Sequence, residues 1–189
     1  MRFSPSILTT TYLHQITRKQ IISGPFFGLY YVQKAQCYFA KLLGTYEREL
    51  HSIIEANDDE NYDKVVVIGA GDGYYAVGLN KRWKRPVLAY EKDKTSRDLM
   101  TRLTLINKAS VFIKGEFNRS FDTKSTNDFI VMDVEGGEKE LLDENRFRDW
   151  NKSVLLVEVH AIDIKELLVD RSRLTHHSTF IPIRNRTMD

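Results

Sequence analysis

The chain has 189 residues, of which 42% are hydrophobic and 29% charged, and its formal net charge is +2. This composition is that of an ordinary globular protein and excludes a disordered or collagen-like chain. So small a charge gives no support to a nucleic acid or membrane surface as partner. Cys37 is the only cysteine, which excludes an internal disulfide and a cysteine-rich zinc site and favours a reducing, cytoplasmic setting.

The first part of the chain, residues 1–60, is predicted to form an N-terminal helical extension. Apolar residues from Ala35 to Ile54 recur at spacings of three and four, which places them in one stripe on a helix. Gly24 and Pro25 are expected to break the helix before it. The first ten residues lack a continuous apolar stretch, so no signal peptide is predicted. The aromatic residues at 26–31 are expected to pack onto the domain, because this apolar window is too short to insert stably into a membrane.

The second part, residues 61–189, has the alternation of strands and helices that is typical of a parallel sheet. Five apolar, β-branched runs are predicted to be strands, and a sixth, "STFIPIR", is predicted to be an edge strand because it contains Pro182. Helical spacing separates them, in "YYAVGLNKRW", "KTSRDLMTRLTLINK", "GEKELLDENRFRDW" and "IDIKELLVDRSRL". The predicted fold is therefore a doubly wound, mainly parallel α/β sheet of the Rossmann-like type.

A glycine-rich loop, "GAGDG", follows the first predicted strand and precedes a helix. Gly69, Gly71 and Gly73 permit a tight turn and let backbone amides approach a ligand. Glu91 ends the second predicted strand, where a carboxylate can accept hydrogen bonds from both hydroxyls of a ribose. These features together predict a nucleoside-containing cofactor.

Two side chains in this loop favour S-adenosylmethionine over NAD. A dinucleotide fingerprint requires Gly or Ala at the position that Tyr74 occupies. Asp72 would repel a pyrophosphate, but it suits a cofactor that carries a sulfonium and an ammonium group. An NAD-dependent oxidoreductase is therefore the weaker alternative.

The fourth predicted strand ends in a cluster of acids. Asp133 and Glu135 have the same parity along the chain, so both can point to the same side of the sheet. Ligands in open α/β sheets bind beyond the carboxyl ends of the strands. The acids are therefore expected to line that crevice instead of being buried, and Glu138 is expected to begin the next helix.

Residues 46–160 resemble the FkbM family of S-adenosylmethionine-dependent methyltransferases. The most specific element is D-x-E-G-x-E, which Asp133, Glu135, Gly136 and Glu138 match, and "VEVH" matches the E-x-H that ends the fifth strand. The resemblance implies a class I methyltransferase fold and O-methylation of sugars or polyketide-type products. The chain departs from the family at Asp72, where Asn is usual. It also shows one predicted strand in place of the terminal hairpin of two.

Roles follow for the residues of the predicted crevice. His160 is the predicted general base, because its unperturbed pKa near 6.5 suits proton transfer at neutral pH. Asp133 and Glu135 are predicted to face the cofactor and the substrate. Ligation of Mg²⁺ by these acids, Glu158 and His160 is an alternative that we do not favour, and no metal ligand is assigned. The cofactor is predicted to contact Gly69, Ala70, Gly71, Asp72, Gly73, Tyr74, Glu91, Lys92, Glu116 and Asp133.

The predicted acceptor is a hydroxyl of a small molecule or glycan. A nucleic acid acceptor is disfavoured, because the strand-four turn lacks the prolines of amino-directed nucleobase enzymes. Cytosine C5 chemistry needs a cysteine nucleophile, and Cys37 is expected on the apolar stripe of the N-terminal helix. A degenerate methyltransferase that serves as a binding scaffold stays an alternative. A homo-oligomer is compatible with the sequence.

Overall fold

Five short strands form one parallel sheet, which helices flank. The computed structural model describes residues 12–31, 37–58, 60–118 and 126–182. In chain order the elements are α1 (residues 12–17), α2 (Tyr38–Leu43), α3 (Arg48–Ala56), β1 (Val65–Ile68), α4 (Tyr74–Trp83), β2 (Val87–Tyr90), α5 (Lys94–Ile106), β3 (Val111–Lys114), β4 (Phe129–Met132), α6 (Glu138–Leu141), α7 (Glu144–Asp149), β5 (Val154–Val157) and α8 (Ile162–Ser172).

The strand order is β3-β2-β1-β4-β5, and every neighbouring pair is parallel. All residues of β1 and β4 are buried, which accounts for their wholly apolar sequences. The direction of winding reverses between β1 and β4, so a crevice opens where their carboxyl ends diverge. The predicted doubly wound α/β fold is confirmed.

The N-terminal segment is less regular than the sequence predicts. A single helical stripe through residues 35–54 is wrong, because Gly44 ends α2 with a left-handed φ of 72°. A Cβ at Gly44 would lie 1.9 Å from the backbone oxygen of Ser23, so this glycine allows two chain segments to approach closely. Cys37 precedes α2 and is exposed, and Tyr46 lies in the turn before α3. Ala35 lies outside the described residues.

The same segment contributes to the core of the α/β unit. Ile21, Tyr31 and Leu42 are fully buried and belong to one apolar cluster with residues of β1 and α4. Phe26 packs onto α4, where a side chain larger than that of Gly78 would clash with its ring. The predicted packing of the aromatic window is thus confirmed for two of its residues, whereas Phe27 and Tyr30 are exposed. The boundary near residue 60 stays a prediction.

Two predictions for the C-terminal third are wrong. The single helix expected after β4 is divided into α6 and α7, because the Asp143 side chain accepts a hydrogen bond from the Arg146 amide and caps a new helix. Residues 178–182 form no strand; Pro182 lacks an amide hydrogen for a ladder. The last two residues of the expected edge strand lie outside the described residues. None of the described helices is long and apolar enough to cross a membrane.

Candidate active site

A cavity of about 900 Å³ opens at the carboxyl ends of β1, β2, β4 and β5. Ligand pockets in proteins range from roughly 300 to 1,000 Å³, so there is room for a cofactor together with an acceptor. One wall comes from the N-terminal segment, through Lys41, Tyr46 and Glu47, and Phe180 and Ile181 contribute from beyond α8. The position is that expected from the topology of the sheet.

The glycine loop between β1 and α4 borders this cavity. Gly69, Gly71 and Gly73 all have left-handed φ angles, of 76°, 52° and 92°. A Cβ at Gly69 would lie 1.6 Å from the backbone oxygen of Asp133, and one at Gly73 would lie 2.6 Å from Cγ of Met100. At Gly71, in contrast, no atom of the described residues beyond its two chain neighbours lies within 4 Å of that position. The outer glycines are therefore required by packing, whereas the middle one leaves the backbone open to a ligand.

Glu91 holds the glycine loop in place. Its carboxylate is buried, with Oε2 accepting a hydrogen bond from the Gly71 amide at 2.8 Å and Oε1 accepting one from the Asp93 amide at 2.7 Å. A carboxylate offers about four acceptor positions, so capacity for further donors is left. Loop support is a role that the sequence did not predict, and the ribose contact stays a prediction.

Asp72 and Tyr74 bind the loop to the N-terminal segment. Asp72 is buried, forms an ion pair with Lys41 at 3.1 Å and accepts a hydrogen bond from the Tyr31 hydroxyl. Tyr74 packs edge-on against Phe26 and Tyr31. Lys41 therefore balances the charge that we expected Asp72 to offer to a cationic cofactor, although both loop residues also line the cavity.

The remaining residues predicted to contact the cofactor lie along the same wall. The Ala70 amide donates a hydrogen bond to the Tyr90 carbonyl, which fixes the turn after β1. Lys92 and Glu116 are exposed and follow β2 and β3. Both line the cavity, as Ala70 does, so the structure brings the predicted cofactor contacts to one place.

His160 and the acids of β4 meet at the opposite side of the crevice. His160 Nε2 lies 3.6 Å from Asp133 Oδ1 and 3.4 Å from Glu135 Oε2. Glu135 has a left-handed φ of 53°, and its side chain is 80% exposed. Asp133, Glu135 and Glu158 line the cavity, and His160 lies at its rim through these contacts. The three predicted catalytic residues are thus brought together.

Glu138 orients His160 from behind. Its carboxylate is fully buried, and Oε1 lies 2.9 Å from His160 Nδ1 and 3.2 Å from the Gly136 amide. Because an ionised carboxylate can only accept, Nδ1 carries the hydrogen of this bond. In the neutral imidazole, the lone pair of Nε2 then faces Asp133 and Glu135. The expected helix start at Glu138 is confirmed, and the sequence missed its contact with His160.

The crowding of carboxylates raises several pKa values. Burial, followed by the charge of Asp133 and then that of Glu47, raises the pKa of Glu158 to about 7. Burial and the charge of Glu135 raise the pKa of Asp133. Burial opposes the charged form of His160, but the hydrogen bond and charge of Glu138 outweigh it, so that the pKa of His160 is raised. Glu158 therefore titrates near neutral pH, and the imidazole of His160 stays protonated to higher pH than that of an ordinary histidine.

Glu47 is a site residue that the sequence did not reveal. It precedes α3, lines the cavity and accepts a hydrogen bond from the Tyr75 hydroxyl. Its charge contributes to the raised pKa values of both Asp133 and Glu158. Only the folding of the N-terminal segment over the sheet brings it there. Its place within the stretch that resembles the FkbM family was the one available signal.

Solved structures identify the type of fold. A methyltransferase from Pyrococcus furiosus superposes with a TM-score of 0.58 at 14% identity, covering 91% of this chain and 87% of that one. The chain has the class I methyltransferase fold. Trm5b from Pyrococcus abyssi matches with a TM-score of 0.50 at 19% identity, over 67% of this chain and 39% of its own. TYW2 of M. jannaschii, solved with AdoMet, matches with a TM-score of 0.48 at 21% identity, over 69% and 62%.

These similarities lie in the fold. No family model and no curated protein matches the sequence. The chain spans less than two thirds of the TYW2 and Trm5b chains. The resemblance to the FkbM family therefore stays a prediction.

The residues of the cavity suit a nucleoside cofactor at one end and a cation at the other. The open backbone at Gly71 and the spare acceptor capacity of Glu91 suit a ribose. Asp133, Glu158 and His160 each offer one atom, all within 4.8 Å of one another, and could together hold a divalent cation. Oδ1 of Asp133 is buried and has no hydrogen-bond partner among the described residues, so a donor or cation would satisfy it.

Proposed function

We propose that the protein is an S-adenosylmethionine-dependent methyltransferase that methylates a hydroxyl group of a small molecule or glycan. The observation that carries this proposal is the shared cavity. The open glycine loop held by Glu91 lies at one side of it, and His160, oriented by buried Glu138, lies at the rim of the other side next to the lining residues Asp133 and Glu135. The class I methyltransferase fold supports the cofactor, and the resemblance to the FkbM family supports oxygen as the acceptor atom.

The electrostatics of the cavity favour this cofactor over NAD. Carboxylates dominate the wall, and Lys41 is already paired with Asp72. A pyrophosphate would be repelled, whereas a sulfonium and an ammonium group would be attracted. Tyr74 adds a second argument, because its ring occupies the place where a dinucleotide site needs a small residue.

The residues of the chain prepare the acceptor for transfer. The cofactor supplies a methyl group bonded to a positively charged sulfur. An alcohol is a poor nucleophile until a base removes its proton, and His160 Nε2 accepts that proton as the C–O bond forms and the C–S bond breaks. Glu138 stabilises the resulting imidazolium and holds the ring in position. Asp133 and Glu135 orient the groups on either side of the transferred carbon.

Methyl transfer can be measured with a tritium label on the methyl group of S-adenosylmethionine and a panel of hydroxylated acceptors. We expect label in an ether product with the wild-type chain. His160→Ala should lower kcat by at least about a hundredfold, the usual contribution of a general base. Its affinity for S-adenosylhomocysteine should be unchanged.

The control is His177→Ala, because His177 lies on the segment after α8 and does not line the cavity. Full activity in His160→Ala would contradict the assigned base. Binding of NADH by the wild-type chain, without binding of S-adenosylhomocysteine, would favour an oxidoreductase instead. The predicted cytoplasmic location is part of this proposal and is tested by fractionating cells.

A further inference from the structure

The cavity is far more acidic than the molecule as a whole. Among the described residues that line it, acidic side chains outnumber lysines by nine to two, although the chain has a formal net charge of +2. Such a concentration of one sign in a low-dielectric cleft raises the local concentration of ligands of the opposite sign. The wall therefore selects among acceptors by their charge.

The acidic side chains without a basic partner lie at the end of the cavity next to His160, where the acceptor is proposed to bind; this is called the acceptor end. Glu47, Asp133, Glu135 and Glu158 form no ion pair with a lysine or arginine in the parts of the chain that the structure describes. They come from three places, namely the turn before α3, the end of β4 and the end of β5. Among the described residues, His160 is the only basic side chain that forms an ion pair with any of them, and it already binds Glu138.

Buried oxygen atoms at this end also lack donors. Among the described residues, Oδ1 of Asp133 has no hydrogen-bond partner, and Asp133 lines the cavity. Oε2 of Glu138 also lacks a partner there, but the Glu138 side chain is 0% exposed and does not line the cavity. A buried carboxylate oxygen without a donor is costly, and a charged donor satisfies it best. This second observation points to a cationic ligand independently of the charge count.

The cofactor of the proposed function cannot balance these charges alone. Its sulfonium and ammonium groups are offset in part by its own carboxylate, so its net charge is one positive unit. One ammonium group, that of the Lys41 side chain, is already bound at the wall of the cavity. Lys41 Nζ lies 3.1 Å from Asp72 Oδ1 and 5.0 Å from the centroid of the Tyr46 ring. Carboxylate and aromatic ring together are a favourable environment for a further ammonium group.

We propose that the acceptor carries a protonated amine close to the hydroxyl that is methylated, as in an amino sugar or an amino alcohol. The inference rests on the proposed function, because it names the class of its acceptor. The acids recognise the ammonium group while His160 takes the proton of the neighbouring hydroxyl. A polyanion such as a nucleic acid is repelled by the same wall.

Three sugars that share a pyranose ring but differ in charge test the proposal. They are glucosamine, which is cationic at pH 7, N-acetylglucosamine, which is neutral, and glucuronate, which is anionic. Their binding to the chain loaded with S-adenosylhomocysteine can be measured at pH 7 by saturation-transfer NMR. We expect glucosamine to bind at least about tenfold more tightly than N-acetylglucosamine, the effect of one charge-assisted hydrogen bond. Glucuronate should bind most weakly.

Glu47→Gln should reduce the preference for glucosamine, because it removes one charge and keeps the shape. Glu55→Gln is the matched control, since Glu55 is an exposed residue of α3 that does not line the cavity. Equal binding of glucosamine and N-acetylglucosamine, or binding of none of the probes, would overturn the proposal. So would Mn²⁺ binding that displaces glucosamine, because the occupant would then be a metal ion. Titration with S-adenosylhomocysteine alone shows separately whether the proposed function fails.

Discussion

The pair of Glu138 and His160 shows how one buried carboxylate can define a base. Glu138 is fully buried, so its charge acts on the imidazole with little screening by water. Asp133, Glu135 and Glu158 face the same ring and act in the same direction when ionised. His160 thus needs a higher pH than an ordinary histidine to become the neutral base.

The pH dependence of turnover tests this relation. Only the neutral imidazole accepts a proton, so kcat should rise with pH. The midpoint of this rising limb of the pH–rate profile should lie above the ordinary histidine pKa of 6.5. Glu138→Gln removes the charge that stabilises the imidazolium, so the pKa of His160 falls and the limb moves to lower pH. We also expect kcat on the plateau to fall by about tenfold, because the ring is held less firmly.

The matched control is Glu144→Gln, which changes an exposed acid at the start of α7 that does not line the cavity. Its limb should keep the wild-type position. A limb that stays in place in Glu138→Gln, while kcat falls, would show that Glu138 has only a structural role. Direct titration of the His160 ring by NMR distinguishes it from Glu158, whose pKa is raised to about 7 by burial and neighbouring charges.

At the scale of elements, the loop between β1 and α4 combines packing with ligand access. Gly69 and Gly71 both have left-handed φ angles, but only Gly69 meets the backbone of the neighbouring strand. Alanine at either position costs roughly 1–2 kcal/mol for the left-handed conformation. At Gly69 the clash with the Asp133 carbonyl adds to this cost.

We therefore expect Gly69→Ala to lower the free energy of unfolding by at least about 3 kcal/mol, and Gly71→Ala by about 1–2 kcal/mol. Denaturant unfolding measures both. Gly71→Ala should nevertheless weaken binding of S-adenosylhomocysteine, because its methyl group enters the space next to the ligand. Equal losses of stability in the two variants would contradict the different packing of the two glycines.

The strands and most helices of the α/β unit could be predicted from the sequence because their signals are local. Buried parallel strands need continuous apolar runs, and α4 has the bounds that its helical spacing indicates. The division between α6 and α7 was missed, because Asp143 is an ordinary polar residue until its side chain caps a helix. The expected edge strand failed because strand pairing depends on a partner that no local pattern reveals.

The residues of the candidate site likewise fall into those that the sequence predicts and those that it does not. The glycine loop, Glu91 and the acids of β4 follow strands directly, so the topology predicts that they meet. Glu47 and Lys41 reach the cavity only through the path of the N-terminal segment. The pairing of Glu138 with His160 depends on how α6 packs beside the end of β5. Contacts between distant parts of the chain have no periodic signature in the sequence.

At the scale of the whole molecule, the N-terminal segment and the sheet share one core. Leu42 of α2 is 0% exposed and lies in the same apolar cluster as Val65 and Val67 of β1. Leu42→Ala should lower the free energy of unfolding by about 2–5 kcal/mol, as expected for a leucine deleted from a packed core. Thermal unfolding should stay a single transition.

Leu105→Ala is the control, because Leu105 of α5 is 72% exposed and its loss should change stability by less than about 0.5 kcal/mol. Two separate transitions in the wild-type chain would contradict a shared core. They would favour the division into an extension and a domain near residue 60.

The central claim is that the crevice between β1 and β4 binds S-adenosylmethionine. Isothermal titration of the wild-type chain with S-adenosylhomocysteine, the demethylated product, tests it most directly. We predict one site per chain, and competition by S-adenosylmethionine for that site. Absence of heat with both compounds, or displacement of either by a phosphate-bearing nucleotide such as NADH, would contradict the claim.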